Sequence, residues 1–121
     1  MTFTFRPHER LRLTRDFQRA RRAGRRRAGR WLALWVYPRD ESPPRATRLG
    51  IVVGRRHGGA VQRNRFKRRL REVFRLGKSR WPRGWDVVVT PKAGGAGFPP
   101  PQKDLQADFT GLMGRSGKLE L

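Results

Sequence analysis

The sequence predicts one α+β domain, built as a two-layer sandwich of a mixed sheet packed with helices. Three observations support this. The chain has 121 residues, enough for one domain with a modest core. Its apolar residues fall in short strand-like runs at 31–37, 48–54 and 85–90, and at helical spacing in 60–76 and after Pro101. These segments follow the order helix, strands, helix, strand, helix, without internal repeat, as in a layered α+β fold.

A first helix is expected from Thr14 to Ala23. Thr14 can cap it, Asp16 suits the positive first turn, and Gly24 suits the end. WLALWVY at 31–37 sets Leu32, Leu34 and Val36 against Trp31, Ala33, Trp35 and Tyr37, a strand with an aliphatic and an aromatic face. DESPP at 40–44 reads as a turn, RLGIVVG at 48–54 as a second strand, and HGG at 57–59 as the break before a helix over 60–76. WDVVVT at 85–90 is apolar enough for a largely buried strand. KAGGAGFPPP at 92–101 reads as a Gly/Pro linker with no core of its own. The last helix carries Leu105, Phe109, Leu112 and Met113 on one stripe, weakened by Gly111.

The composition narrows the function. Thirty Lys+Arg against nine Asp+Glu give a net charge of +21, which repels itself in a compact chain unless a polyanion is the partner. Such charge also suits a disordered tail, but four Trp and seven Phe in periodic runs favour a folded nucleic-acid binder. No cysteine is present, which excludes disulfides, thiolate zinc sites and cysteine nucleophiles. The apolar run at 31–37 is far too short to span a bilayer, and MTFTFRPHER lacks the apolar core of a secretory signal. A cytoplasmic protein without membrane contact is expected. The charge is concentrated at 10–30 and 55–80, while 84–121 is balanced, so the polyanion should meet the first two thirds of the chain.

VQRNRFKRRLREVFRL at 61–76 packs six arginines and a lysine around four apolar residues. On a helical wheel Phe66, Leu70, Val73 and Phe74 share the core sector. Asn64, Arg68 and Arg71 point outward with Arg75, Lys67 lies at the edge and Arg65 on a flank, and Arg63 leans toward the core and must snorkel. Glu72 sits on a flank with Arg65, within reach of Arg68 and Arg69. Surface charges chosen for solubility normally mix signs. Guanidinium groups fixed on one helix instead suit phosphates, which they grip in bidentate fashion.

The stretch RLGIVVGRRHGGAVQRNRFKRRLREVFR resembles the signature of the bacterial ribonuclease P protein subunit: a glycine-containing strand, a basic pair, a Gly-x-Ala-Val turn, then Arg-Asn-Arg-x-Lys-Arg-x-x-Arg-Glu. RLRLTRDFQRARRAG upstream and WDVVVTPK downstream are similar to the family's first helix and Asp-led third strand. The resemblance implies an α+β sandwich with a left-handed strand–helix–strand crossover, like that of a ribosomal-protein domain. It also implies that a partner RNA carries out the hydrolysis. The complex would remove the 5′ leader of precursor tRNA with Mg²⁺ ions bound largely by that RNA, so the protein would hold no catalytic residue or metal of its own. Arg55, Arg56, Arg63, Asn64, Arg65, Lys67, Arg68 and Arg71 would contact RNA. Phe17, Arg21, Trp31 and Trp35 would line the cleft for the single-stranded leader, an arrangement that the aromatic strand beside a basic helix also suggests. DNA is not an expected partner.

Some positions depart from that pattern. Arg21 replaces a second cleft aromatic, so stacking there becomes cation–π or phosphate contact. Val52 and Gly54 replace small hydroxyl residues, and Pro91, in place of a basic residue, should end the third strand early. Two other classes stay open on charge alone. A ribosomal protein of the same size would bind rRNA structurally. An independent hydrolase would need an acid–base pair, and His8, His57 and the Asp40–Glu41 turn supply none.

Overall fold

The computed structural model describes residues 5–119; residues 1–4, part of the stretch read for a secretory signal, lie outside it. The elements are α1 (Thr14–Ala23), β1 (Arg25–Ala28), β2 (Leu32–Pro38), β3 (Arg48–Ile51), α2 (Ala60–Leu76), β4 (Trp85–Pro91) and α3 (Gln102–Leu119), with single 3₁₀ turns at Pro7–Glu9 and Lys78–Arg80. One mixed sheet runs in the order β1-β2-β4-β3, with β3 and β4 parallel and the other pairs antiparallel. The parallel pair is bridged by α2, a strand–helix–strand crossover.

Strand alternation divides the core into two faces. Leu32, Leu34, Val36, Leu49, Val87 and Val89 point toward α2 and α3, where they meet Phe66, Leu70, Val73, Phe74, Leu105, Phe109, Leu112 and Met113. The other face carries Trp35, Tyr37 and Val88 and is covered by α1 through Phe17 and Ala20, with Leu11 and Val52 beside them. The larger face thus makes the sandwich, and α1 lies across the back of the sheet. Two glycines permit that closeness. A Cβ at Gly24 would stand 2.4 Å from the Ala20 carbonyl oxygen, and one at Gly50 would stand 2.4 Å from the Phe17 ring.

Several expectations need correction. Thr14 is the first helical residue and caps nothing; extended Leu13 holds the cap position. β1 was not expected, because Arg25, Arg26 and Arg27 show no apolar alternation. It exists as an edge strand on β2, where charge also discourages pairing with another chain. β3 stops at Ile51, although the Val52 N–H still donates to Val89 O at 2.9 Å. Pro91 does not shorten β4, since it remains paired with Leu32. The 92–101 segment has no helix or strand, yet it is not free of the core. Phe98 packs on Phe66 at 5.3 Å, and the carbonyls of Pro99 and Pro100 accept hydrogen bonds from Arg69 Nη1 at 3.1 and 2.7 Å.

The frame is tied together by charge as well as by apolar packing. Asp86, on β4, is 0% exposed. Its Oδ1 accepts from Arg39 Nη1 at 2.6 Å and Arg48 Nε at 2.7 Å, and its Oδ2 from Arg48 Nη2 at 2.8 Å and Arg19 Nη2 at 3.1 Å. Burial pushes its pKa up, but the hydrogen bonds from Arg48 and Arg39 outweigh burial and hold it below the usual range. At the other end, Asp108 of α3 accepts the backbone N–H groups of Arg30, Trp31 and Leu32 at 2.9–3.1 Å, which fixes where β2 begins. His57 is buried, accepts the Gly54 N–H on Nδ1 at 2.9 Å and faces Phe98.

Replacing Asp86 with Ala leaves three guanidinium groups around an empty position and should destabilise the fold by about 3–5 kcal/mol, read as a shift of the urea midpoint. His57 supplies a pH test. Burial first, then the Arg56 charge, lowers its pKa below 6.5. The unfolded chain therefore takes up the proton first. The stability from neutral His57 should be complete above about pH 6.5 and lost as pH falls toward the folded value. Thermal melts between pH 8 and 5 should show this decline, and His57→Gln should flatten it.

Candidate nucleic-acid interface

The α2 wheel holds. Phe66, Leu70, Val73 and Phe74 are buried, while Asn64, Arg65, Arg68 and Arg71 are exposed and Lys67 is half-buried. Arg63 is half-buried, with Nε directed back to Gly59 O at 3.4 Å. Glu72 departs from expectation: it binds Arg75, whose Nε donates to Oε1 at 3.0 Å, and leaves Arg65 and Arg68 to solvent. Arg69 is taken by the proline carbonyls described above. The outward row Asn64–Arg68–Arg71 is therefore the part of the helix open to a ligand. Arg55 and Arg56 are exposed in the turn that leads into it.

A second element converges on this row. The segment before α1 lies along the open edge of β3, where Arg10 bridges to Leu49 and the Leu11 N–H donates to Leu49 O at 3.0 Å. Buried Glu9 anchors the segment by accepting from Lys78 Nζ at 2.9 Å. A cleft of about 360 Å³ opens between the segment and α2, lined by Phe5, Arg10, Asn64, Arg68 and Arg71 with the Glu72–Arg75 pair. Arg71 has its pKa lowered by burial first and then by the positive charge of Arg10. Two guanidinium groups are thus held near each other by the fold, an arrangement that an anion between them would relieve. Arg10 and Arg12 are candidate site residues that neither the helical wheel nor the family signature singles out. The alternation Arg-Leu-Arg-Leu at 10–13 was the available signal, because it marks a short extended segment with a basic face.

A neighbouring cleft of about 330 Å³ joins Arg10, Arg12, Lys67 and Arg71 to Phe17, whose ring lies over Gly50. Half-buried Phe17 and Trp35 belong to the same cluster on the α1 face. Arg21 lies over the Trp35 ring at 4.9 Å, the cation–π alternative raised by its replacement of an aromatic. Trp31 is not brought to this place. It precedes β2 and packs against the opposite core beside α3, because Asp108 holds its N–H there. The aromatic side of β2 is reduced to Trp35 and Tyr37.

Comparison with known proteins identifies the family. A family model described as Ribonuclease P matches residues 5–117. The ribonuclease P protein component of Syntrophobacter fumaroxidans is 45% identical over 91 residues, covering 74% of each chain. That of Chloroflexus aurantiacus is 43% identical over 104 residues, covering 86% of this chain and 74% of the relative. The structure of the RNase P protein from Thermotoga maritima is similar with a TM-score of 0.75 and 31% identity, covering 88% of this chain and 96% of that one. The match sets aside the ribosomal-protein alternative. With its sandwich fold and its basic helix over 60–76, the chain belongs to the family of bacterial ribonuclease P protein components, RNA-binding proteins of tRNA processing.

Proposed function

We propose that this chain is the non-catalytic subunit of an RNA-based endonuclease. It binds ribonuclease P RNA through α2 and the segment before α1, and it guides the 5′ leader of precursor tRNA along the Phe17 side. The observation that carries the reading is the row Asn64–Arg68–Arg71 facing Arg10, where guanidinium groups gather around a cleft whose acid, Glu72, is bound to Arg75. RNA phosphates would supply negative charge there, and the helix fixes the spacing of the residues that carry the forks, so the backbone need not be ordered on association.

Hydrolysis is assigned to the RNA. The Mg²⁺ ions expected for it would supply charge stabilisation when bound, and the described residues offer them no fitting ligand set. Among the described residues no group of three or more His, Asp or Glu could hold a metal. Most acids are already committed, Asp86 to arginines, Glu9 to Lys78 and Asp108 to backbone amides. In this reading the ions would be held by the RNA.

Two outcomes follow. Arg68→Ala and Arg71→Ala should each weaken binding to the RNA subunit and reduce the slope of log affinity against log salt by about one unit, with the melting temperature unchanged. Phe66→Ala should instead destabilise the fold by about 3–5 kcal/mol. Equal effects of the two classes on folding would rule out this division of the helix. On the leader side, Phe17→Ala should cost roughly 1–3 kcal/mol in holoenzyme affinity for a precursor with a long leader. Affinity for mature tRNA should stay as it was; a loss common to both substrates would make Phe17 a core residue only.

A further inference from the structure

Trp35 is the remaining aromatic of the leader cleft, and its surroundings differ from those of Phe17. Arg21, one helical turn after Phe17, lies over the Trp35 ring at 4.9 Å, and Arg26 lies over the same ring at 5.6 Å. Arg26 is the direct cross-strand neighbour of Trp35 in the β1–β2 pair, so its position follows from the register of the sheet. Both arginines are exposed, and among the described residues neither has an acidic partner. Asp16, the one acid of α1, is turned toward Arg19 and Arg48 at 3.4 and 3.5 Å.

We propose that Trp35 does not stack on a leader base but serves as the platform that holds Arg21 and Arg26 around one leader phosphate. The inference rests on the leader reading above and gives it a mode of recognition: at this point the leader is held by charge, independently of base identity. A base could reach the indole only by displacing a guanidinium from it, and the two like charges would then remain close without a counter-ion. A phosphate needs no such displacement. A guanidinium attracted to an indole face makes no hydrogen bond to it, so its N–H donors remain available to phosphate oxygens. The anion also relieves the repulsion between the two arginines, while the indole limits the freedom of both side chains before binding.

The test is a set of double-mutant cycles on the assembled holoenzyme. Affinity is measured for precursors in which each leader position in turn is made abasic, or each leader phosphate is replaced by a neutral methylphosphonate. The proteins are the wild type, Arg21→Ala, Arg26→Ala and Trp35→Ala. Each variant should lose affinity for the unmodified long leader, roughly tenfold where a charged hydrogen bond is lost. At one methylphosphonate position the loss should vanish, and it should persist at every abasic position. The two arginine changes lie on the exposed surface and keep the test open if Trp35→Ala folds poorly. A loss that vanishes at an abasic position and persists at every methylphosphonate would overturn the proposal, because the ring would then be stacking on a base. No loss in any variant, with leader length still affecting affinity, would overturn it as well. If leader length has no effect on affinity at all, the leader reading beneath it fails too.

Discussion

The structure depends on how nine acids are distributed among thirty basic residues. Asp86 is the clearest case. Its carboxylate lies on the central strand β4, out of water, and receives Arg19 from α1, Arg39 from the end of β2 and Arg48 from β3. Burying a charge is costly, and it is tolerated here because every lone pair is directed at a guanidinium. The same arginines extend the network, since Arg39 also donates to Trp85 O, Ala46 O and Glu41. The Glu41 carboxyl is held down to about 2, chiefly by its hydrogen bonds with Arg39 and the Arg45 backbone. Asp108 and Glu9 work in the same way at other joints, one fixing β2 to α3 and the other fixing the segment before α1 to the turn after α2.

The candidate RNA-binding surface is a consequence of this distribution. Acids that hold the frame are not available to neutralise its exterior, so the outer row of α2, Arg10 and the arginines around Trp35 retain their charge. Folding alone would not choose this arrangement, since Arg10 and Arg71 repel each other. A bound polyanion would offset the repulsion, and occupancy by RNA would then stabilise the surface. The apolar face of α2 supplies the rigidity. Phe66, Leu70 and Phe74 fix the helix on the sheet, and the outer arginines therefore extend from backbone positions of fixed spacing.

Legibility in the sequence followed the range of the interactions involved. α1 and α2 could be read to the residue because helical period and punctuating glycines are local, and the core sector of α2 followed from spacing alone. β1 was hidden because its three arginines carry no pattern of their own; its partner β2 gives it a place. Trp31 alternates with Trp35 in the sequence, but Asp108, some seventy-seven positions away, decides that it begins outside the strand. Glu72 had several arginines in reach, and only three-dimensional packing selects Arg75. The α2 half of the candidate site was visible for the same local reason. Arg10 was not, because its position beside Arg71 depends on long-range contacts of its segment, the pairing with Leu49 at the edge of β3 and the Glu9–Lys78 ion pair.

The central claim is that the protein contributes charge and positioning while its RNA partner contributes the chemistry. Precursor-tRNA cleavage by the cognate RNA, measured across a Mg²⁺ titration with and without the protein, tests this most directly. The protein should lower the Mg²⁺ concentration needed for 5′ maturation and should show no cleavage when freed of RNA. Specific cleavage by RNA-free protein, or a Mg²⁺ requirement unchanged by adding it, would contradict the account.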